Sequence, residues 1–206
     1  DELVFYTHPM SRGRIVRWML EELGVPYRTE LLGFGPPMKT AEYLAINPMG
    51  KVPAITHRGV VVTEVAAILA YLADAFPEAR LAPPLANPAR GPYYRWLFFA
   101  AGPLEQAVVN RSFGFVLPDE GRGRAGYGSY EDVLRTLEAA VTAPDYIAGP
   151  AFTAADVYVG SHLGWGMMTG GIDKRPAFLS YARRVTSRPA AQRARAIDDA
   201  LVEKKA

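Results

Sequence analysis

Residues 47–74 read NPMGKVPAITHRGVVVTEVAAILAYLAD, and this stretch decides the fold class of the chain. It opens on two turn signals, Asn-Pro and Met-Gly. Pro53 then begins a predicted strand, at a position where a proline need not donate to the ladder. The β-branched run 60–62 predicts a second strand after a short connector. Thr63 is a suitable N-cap for the helix that follows, and Glu64 in its first turn suits the helix dipole.

Strands and helices alternate throughout the first half of the chain. We predict a strand at residues 3–6, a helix from Ser11 to Leu23 with Ser11 as its N-cap, a strand at 27–32 and a short helix at 39–46. With the stretch described above, the order becomes βαβαββα. This order predicts a small α/β layer.

Helical patterns dominate the second half. Residues 77–88 contain several prolines and are interpreted as a linker between domains. Beyond it we predict helices at residues 93–109, 129–141, 153–168, 175–186 and 189–202. Ser129 with Asp132, and Thr153 with Asp156, have the spacing of capping boxes.

Composition excludes several classes of function. Of 206 residues, 50% are apolar and 21% charged, which is typical of a globular protein. The net charge of +2 is too small to indicate binding to nucleic acid or an anionic membrane. There is no cysteine, hence no disulfide framework and no cysteine nucleophile. No apolar run reaches the length of about 20 residues that spans a membrane. We therefore expect a soluble cytoplasmic protein without a metal centre.

The stretch 47–74 resembles the glutathione-binding part of the glutathione transferase superfamily, whose first domain is thioredoxin-like. The Val52-Pro53 pair matches the family's cis-proline motif, and Glu64 matches the first residue of its Glu/Gln-Ser pair. The all-helical second half is also similar, with FTAAD at 152–156 and RPA at 188–190. The chain is identified as a member of this superfamily, of the bacterial type with a serine-containing active site.

This resemblance implies the domain organisation. Residues 1–76 would form an α/β thioredoxin-like domain that binds glutathione. Residues 77–88 would be the linker, and 89–206 an all-α helical domain for the second substrate.

The resemblance implies that Ser11 is the catalytic residue. In the family, this position in the first βα turn carries a serine, tyrosine or cysteine that hydrogen-bonds the glutathione sulfur. Ser11 would donate to the sulfur and would not itself attack. On local sequence alone Ser11 is an N-cap, and the two roles are compatible. Tyr6 is a rival donor, although its place inside a strand favours core packing.

Further glutathione contacts follow from the same resemblance. The backbone of Val52, before Pro53, would pair with the cysteinyl part of glutathione. Lys51 stands where the family often has a Gln or Lys that reaches glutathione. Lys39 stands where some members use a basic residue for the glycine carboxylate.

At the γ-glutamyl end of glutathione the sequence departs from the family. Glu64 would pair with the γ-glutamyl ammonium, but the family's serine is replaced by Val65. Backbone N–H groups at a helix start can still hold a carboxylate. We therefore expect weaker or altered glutathione binding. Arg12 and Arg14, in the first helical turn, oppose the helix dipole and are either solvated or hints of a site for anionic groups.

Glutathione, as co-substrate, and a small hydrophobic electrophile are the expected partners. Candidates for the wall of the second site are Tyr94, Phe98, Phe99, Arg111 and Phe113. The leading hypothesis is a glutathione transferase with a role in detoxification. Two alternatives stay open, a glutathione-dependent disulfide or peroxide reductase and a non-catalytic interaction module. The resemblance also implies a homodimer.

Overall fold

The computed structural model of the chain describes residues 2–142 and 145–203. Residue 1 and residues 204–206, which the predicted domains include, lie outside the described residues. The contacts divide the chain into two units. The first unit runs to Ala79 and resumes at Arg188, and the second unit is Arg80–Ser187.

A four-stranded mixed sheet forms the centre of the first unit. Its strands are β1 (Val4–Thr7), β2 (Arg28–Leu31), β3 (Ala54–His57) and β4 (Val60–Thr63), in the order β2-β1-β3-β4. β1 and β2 are parallel, and the other neighbours are antiparallel. The helices of this part are α1 (Gly13–Leu23), α2 (Ala41–Ile46) and α3 (Val65–Ala75). The predicted order βαβαββα and the α/β class are confirmed.

Apolar residues bury the two central strands of the sheet, β1 and β3, whereas the outer strands β2 and β4 are partly exposed. Phe5 on β1 and Ile55 on β3 are fully buried and are partners in the strand register. On α3, the predicted apolar face is buried at Val65, Ile68, Leu69 and Leu72. Between β3 and β4 the turn at Arg58–Gly59 has positive φ at both residues, 53° and 75°, which suits a tight hairpin.

The helix α2 is shorter than the predicted helix at 39–46. Pro36–Lys39 instead form a short 3-10 turn. Thr40 then has extended backbone, and its side chain accepts a hydrogen bond from Tyr43 N at 3.3 Å. Thr40 is therefore the N-cap, which sets the start of α2.

Helices make up the second unit. They are α4 (Arg90–Phe99), α5 (Glu105–Ser112), α6 (Tyr130–Thr142), α7 (Ala154–Thr169) and α8 (Pro176–Thr186). The predicted capping box is present at the start of α7, where Thr153 and Asp156 bond reciprocally. Asp156 also accepts hydrogen bonds from Ile147 N at 2.8 Å and from Tyr181 Oη at 2.7 Å. Through these bonds the Asp156 carboxylate joins the start of α7 to Ile147 and to Tyr181 of α8.

The predicted helix at 93–109 contains a π-helical segment. Ala100–Leu104 connects α4 to α5, with Pro103 inside it. A proline removes a backbone donor and clashes with the preceding turn, so a regular α-helix cannot continue through it. The chain stays helical by widening locally.

The last helix, α9 (Pro189–Glu203), packs against α1 and belongs to the first unit. The predicted domain at 89–206 placed it with the helices of the second unit, so the contacts divide the chain differently there. Charged pairs join this part of the chain to α1. Arg188, the residue just before α9, pairs with Glu22 of α1 at 2.7 Å. No helix within the described residues is both long and apolar enough to cross a membrane.

Candidate functional site

The strand register brings three separate segments to one end of the sheet. Tyr6 on β1 pairs with Ala54 on β3, and Ala54 pairs with Thr63 on β4. The turn that follows β1, the residues that precede β3 and the residues that follow β4 therefore lie at the same end. These segments carry the predicted site residues Ser11, Val52, Pro53, Glu64 and Val65.

Ser11 lies in a tight turn between β1 and α1. Its hydroxyl donates to His8 O at 2.7 Å, and its Oγ accepts from Gly13 N at 2.9 Å. The helix begins at Gly13 and its N-cap position is Arg12, so the prediction of Ser11 as N-cap is wrong by one residue. A hydroxyl has one hydrogen. Ser11 can therefore donate to a ligand only by turning away from the His8 carbonyl.

Gly13 lets this turn lie close to the end of β1. A Cβ on Gly13 would overlap the Thr7 hydroxyl and would crowd Ser11 Oγ. Thr7 is itself buried, so it has little room to retreat. Any side chain at position 13 would push the turn that carries Ser11 away from the sheet.

The peptide before Val52 is held by two buried side chains. Tyr43 Oη and Asn47 Nδ2 both donate to Lys51 O, at 2.6 and 2.8 Å. Burial raises the pKa of Tyr43 to about 12, so its hydroxyl remains a donor. The Val52-Pro53 bond is cis, as the resemblance implies. The sequence predicts Asn47 only as a turn residue and Tyr43 only as part of a short helix. It does not predict their hydrogen bonds to the Lys51 carbonyl.

Glu64 and Val65 stand where β4 passes into α3. Thr63 ends the strand, so the predicted N-cap is wrong and Glu64 occupies that position. Glu64 has a φ of 66°, which is rare for a residue other than glycine and is often found at binding sites. Its exposed side chain makes no capping bond. Val65 is buried and begins α3, whose first N–H groups lack partners within the helix.

The two predicted basic residues differ in their contacts. Lys39 Nζ donates to Met49 O at 2.8 Å and lies against Gly50. Lys51 is exposed, and its backbone carbonyl is the acceptor for Tyr43 and Asn47. Lys39 thus supports the turn before Val52, while the Lys51 ammonium faces solvent.

Arg14 is not a freely solvated cation. Its Nε donates to Pro9 O at 2.5 Å and its Nη1 contacts Asp199 Oδ1 of α9 at 2.7 Å. Pro9 lies in the turn that carries Ser11. The sequence indicated an unusual charge at Arg14, but its acidic partner is 185 residues away.

Residues predicted for the second-substrate wall lie in the second unit. Phe98 and Phe113 are exposed. Arg111 pairs with Asp173 at 3.1 Å, and its guanidinium lies 4.2 Å from the centre of the Tyr130 ring. Both contacts bind the Arg111 guanidinium to neighbouring residues of the second unit.

The predicted rival donor, Tyr6, is a partly buried member of β1, with its ring 5.9 Å from that of Tyr43.

The chain is similar to known glutathione transferases in both sequence and structure. Residues 10–75 match the family model described as "Glutathione S-transferase, N-terminal domain". Glutathione S-transferase GstA of Escherichia coli O157:H7 is 30% identical over 156 residues, covering 73% of this chain and 75% of that protein. Glutathione S-transferase GST-4.5 of Xanthomonas campestris pv. campestris is 30% identical over 139 residues, covering 65% and 68%.

Solved structures agree over almost the whole length. A glutathione transferase of Methylococcus capsulatus has a TM-score of 0.80 and 29% identity, covering 96% of this chain and 98% of that one. A sphingomonad glutathione S-transferase complexed with glutathione has a TM-score of 0.79 and 30% identity, covering 95% and 98%. The fold therefore combines a thioredoxin-like α/β part with an all-helical part, as in glutathione transferases. The chain belongs to the glutathione S-transferase family.

Proposed function

We propose that this chain is a glutathione transferase that binds glutathione at the sheet end described above and passes its thiolate to a small hydrophobic electrophile. The strand register is the observation that carries this proposal, because it gathers the Ser11 turn, Val52 and Glu64 in one place. The sphingomonad relative complexed with glutathione supports the choice of co-substrate.

Each part of glutathione would have a matching group at this end of the sheet. The γ-glutamyl ammonium would pair with the Glu64 carboxylate, and the γ-glutamyl carboxylate would bind the N–H groups at the start of α3. The cysteinyl backbone would bond to the main chain of Val52, next to Pro53. Lys51 would reach glutathione, and Lys39 would serve the glycine carboxylate.

Ser11 would act on the sulfur. A free thiol has a pKa of about 8.5, so little of it is thiolate at neutral pH. A hydroxyl that donates to the sulfur stabilises the thiolate and lowers this pKa. Ser11 would transfer its hydrogen bond from the His8 carbonyl to the sulfur, exchanging one neutral bond for a stronger bond to a charged group.

The thiolate would then attack the electrophilic carbon. In the substitution reaction the sulfur forms a bond to this carbon, and the leaving group departs with the bonding electron pair. The protein contributes a larger thiolate fraction and the placement of two reactants together. The chain contains no cysteine. In this proposal the nucleophile is therefore the thiolate of glutathione.

The test is the thiol pKa of bound glutathione, read from thiolate absorbance against pH, together with calorimetric affinity. We expect wild type to bind glutathione with a lowered thiol pKa. Ser11→Ala should raise that pKa towards the value in solution, and Ser11→Thr, which keeps a hydroxyl, should restore most of the shift. Absence of binding by wild type would refute the proposal and favour an interaction module.

Finer features of the proposal come from the family resemblance. We infer a homodimer in the cytoplasm, with a role in detoxification. Analytical ultracentrifugation checks the dimer. A panel of small hydrophobic electrophiles, scored for glutathione conjugation, checks the substrate class, and reduction of disulfides or peroxides without conjugation would favour a reductase.

A further inference from the structure

We propose that Arg14 and Asp199 are positioning residues, which hold the turn His8–Ser11 so that Ser11 faces the glutathione sulfur. The inference rests on the proposed function and adds to it that α9, at the other end of the sequence, sets the geometry of the Ser11 turn. Neither residue would touch glutathione.

The hydrogen bonds within the turn involve His8 and Ser11, and Arg14 binds the Pro9 carbonyl between them. His8 O accepts from both Ser11 N, at 3.0 Å, and Ser11 Oγ. Met10 N donates to His8 Nδ1 at 3.1 Å. The Pro9 carbonyl is held by Arg14 Nε instead. The Arg14 side chain thus fixes the middle of the turn.

Arg14 is in turn fixed by Asp199. The guanidinium is planar, so the two groups that its nitrogens hold have a set mutual geometry. Nε binds Pro9 O and Nη1 binds Asp199 Oδ1. The hydrogen bond from Arg14 is also the main cause of a lowered pKa of Asp199, so this carboxylate is charged at neutral pH. A shift of Asp199 would be passed directly to the turn.

A purely stabilising role does not account for this arrangement. An arginine in the first turn of a helix opposes the helix dipole. The side chains of Arg14 and Asp199 are 24% and 46% exposed, and ion pairs of this exposure add little to stability. The contact to Pro9 is what distinguishes Arg14 from the other arginines that pair α1 with α9. Its main consequence therefore falls on the turn.

The test compares variants at the two residues with a matched control. Asp199→Asn keeps the shape and loses the charge, and Arg14→Lys keeps the charge and loses the fork that binds both partners. Asp199→Glu is the conservative rescue. Arg193→Gln is the control, because it breaks another α1–α9 ion pair, to Glu21, which does not contact the turn.

We expect the thiolate fraction of bound glutathione at neutral pH to fall about tenfold in Asp199→Asn and Arg14→Lys, because small displacements of a reacting group have large effects. Asp199→Glu should recover part of this loss, and Arg193→Gln should resemble wild type. The unfolding midpoint of each variant, measured in urea, should stay close to that of wild type.

The outcomes separate this inference from the proposed function. A wild-type thiol pKa in both Asp199→Asn and Arg14→Lys, with Ser11→Ala still raising it, overturns the positioning role alone. An equal loss in Arg193→Gln also overturns it, because general loosening of α9 would then suffice. Failure of wild type to bind glutathione removes the proposed function itself.

Discussion

The carbonyl oxygen of Lys51 shows how single residues prepare the candidate site. Tyr43 and Asn47, both buried, donate to it, and it belongs to the peptide immediately before Val52. Two donors to the same oxygen restrict the orientation of this peptide more than one donor would. The main chain of Val52 is therefore oriented before any ligand arrives, which reduces the entropy lost on binding.

Removing either donor should weaken glutathione binding. For Tyr43→Phe and Asn47→Ala we expect the Kd for glutathione to rise about twofold to tenfold, the equivalent of one neutral hydrogen bond. Isothermal titration calorimetry measures it. Tyr71→Phe is the control, because it removes a hydroxyl that contacts His57, at the opposite end of β3. Unchanged affinity in both site variants would mean that the Lys51 peptide needs no such support.

At the residue scale, the sequence predicts those site residues that belong to a recognisable local pattern. Short motifs predict Val52-Pro53 and Glu64 as site residues, and the position in the first βα turn predicts Ser11. The roles of Tyr43 and Asn47 were missed, because a hydrogen bond to a backbone carbonyl leaves no motif of its own. The positive φ of Glu64 was also unpredictable, since the backbone there follows from the junction of β4 with α3.

At the scale of elements, the β3–β4 hairpin carries a buried histidine. His57 is 3% exposed, its Nδ1 lies 3.0 Å from Tyr71 Oη, and its ring stacks on Phe76. Burial, with a smaller contribution from the charge of Arg58, lowers the pKa of His57 below its ordinary value of 6.5. The folded hairpin therefore favours the neutral imidazole.

This histidine should make stability depend on pH. Below about pH 6.5 the unfolded chain binds a proton that the folded hairpin resists, so acid favours unfolding until the lower folded pKa is passed. We expect the free energy of unfolding of wild type to fall between pH 7.5 and pH 5. His57→Gln, which does not titrate, should show a smaller fall.

Urea unfolding at several pH values measures this difference. The comparison uses the change with pH, since His57→Gln will also alter stability at every pH by changing the packing against Phe76. Equal changes in wild type and variant would show that His57 is protonated as easily in the folded protein as in the unfolded chain.

Helix positions followed from periodicity, whereas interruptions within helices did not. The ends of α1 and α8 at Leu23 and Thr186 agree with the prediction. The π-helical segment Ala100–Leu104 was missed, although Gly102-Pro103 is a breaker signal. The aromatic-rich run at residues 93–99 favoured one continuous helix. Whether a proline ends a helix or widens it depends on packing, which one sequence does not show.

At the scale of the whole molecule, the packing of α9 back onto α1 of the first unit was not predicted from the sequence. α9 pairs with α1 through Arg17 and Asp198, which are 181 residues apart. Arg188, just before α9, pairs with Glu22 of α1, 166 residues away. Each helix separately has an ordinary amphipathic pattern. Only the tertiary structure shows that the acidic groups on one helix meet the arginines on the other.

Arg17 and Asp198 form the buried part of this contact. Both side chains are 2% exposed, and Arg17 Nε lies 3.3 Å from Asp198 Oδ1. Arg17 Nη1 also donates to Tyr27 Oη and to Thr29 Oγ1, at 3.1 and 2.8 Å. The pKa of Asp198 is nonetheless raised, with burial as the main cause. Loss of hydration therefore outweighs the attraction of Arg17, and the pair is a costly way to join two helices.

Removing one partner of this ion pair should destabilise the protein far more than replacing both partners with apolar residues. Asp198→Ala leaves the Arg17 guanidinium buried without its counter-charge, and we expect a loss of about 3–5 kcal/mol in the free energy of unfolding. The double variant Arg17→Met/Asp198→Leu removes both charges and fills the space, so it should recover most of that loss. Arg193→Gln, at an exposed α1–α9 pair, should cost about 1 kcal/mol or less. Urea unfolding at pH 7 measures all three. A double variant as unstable as Asp198→Ala would show that the charges themselves, and not the burial of one unpaired charge, hold α9 on α1.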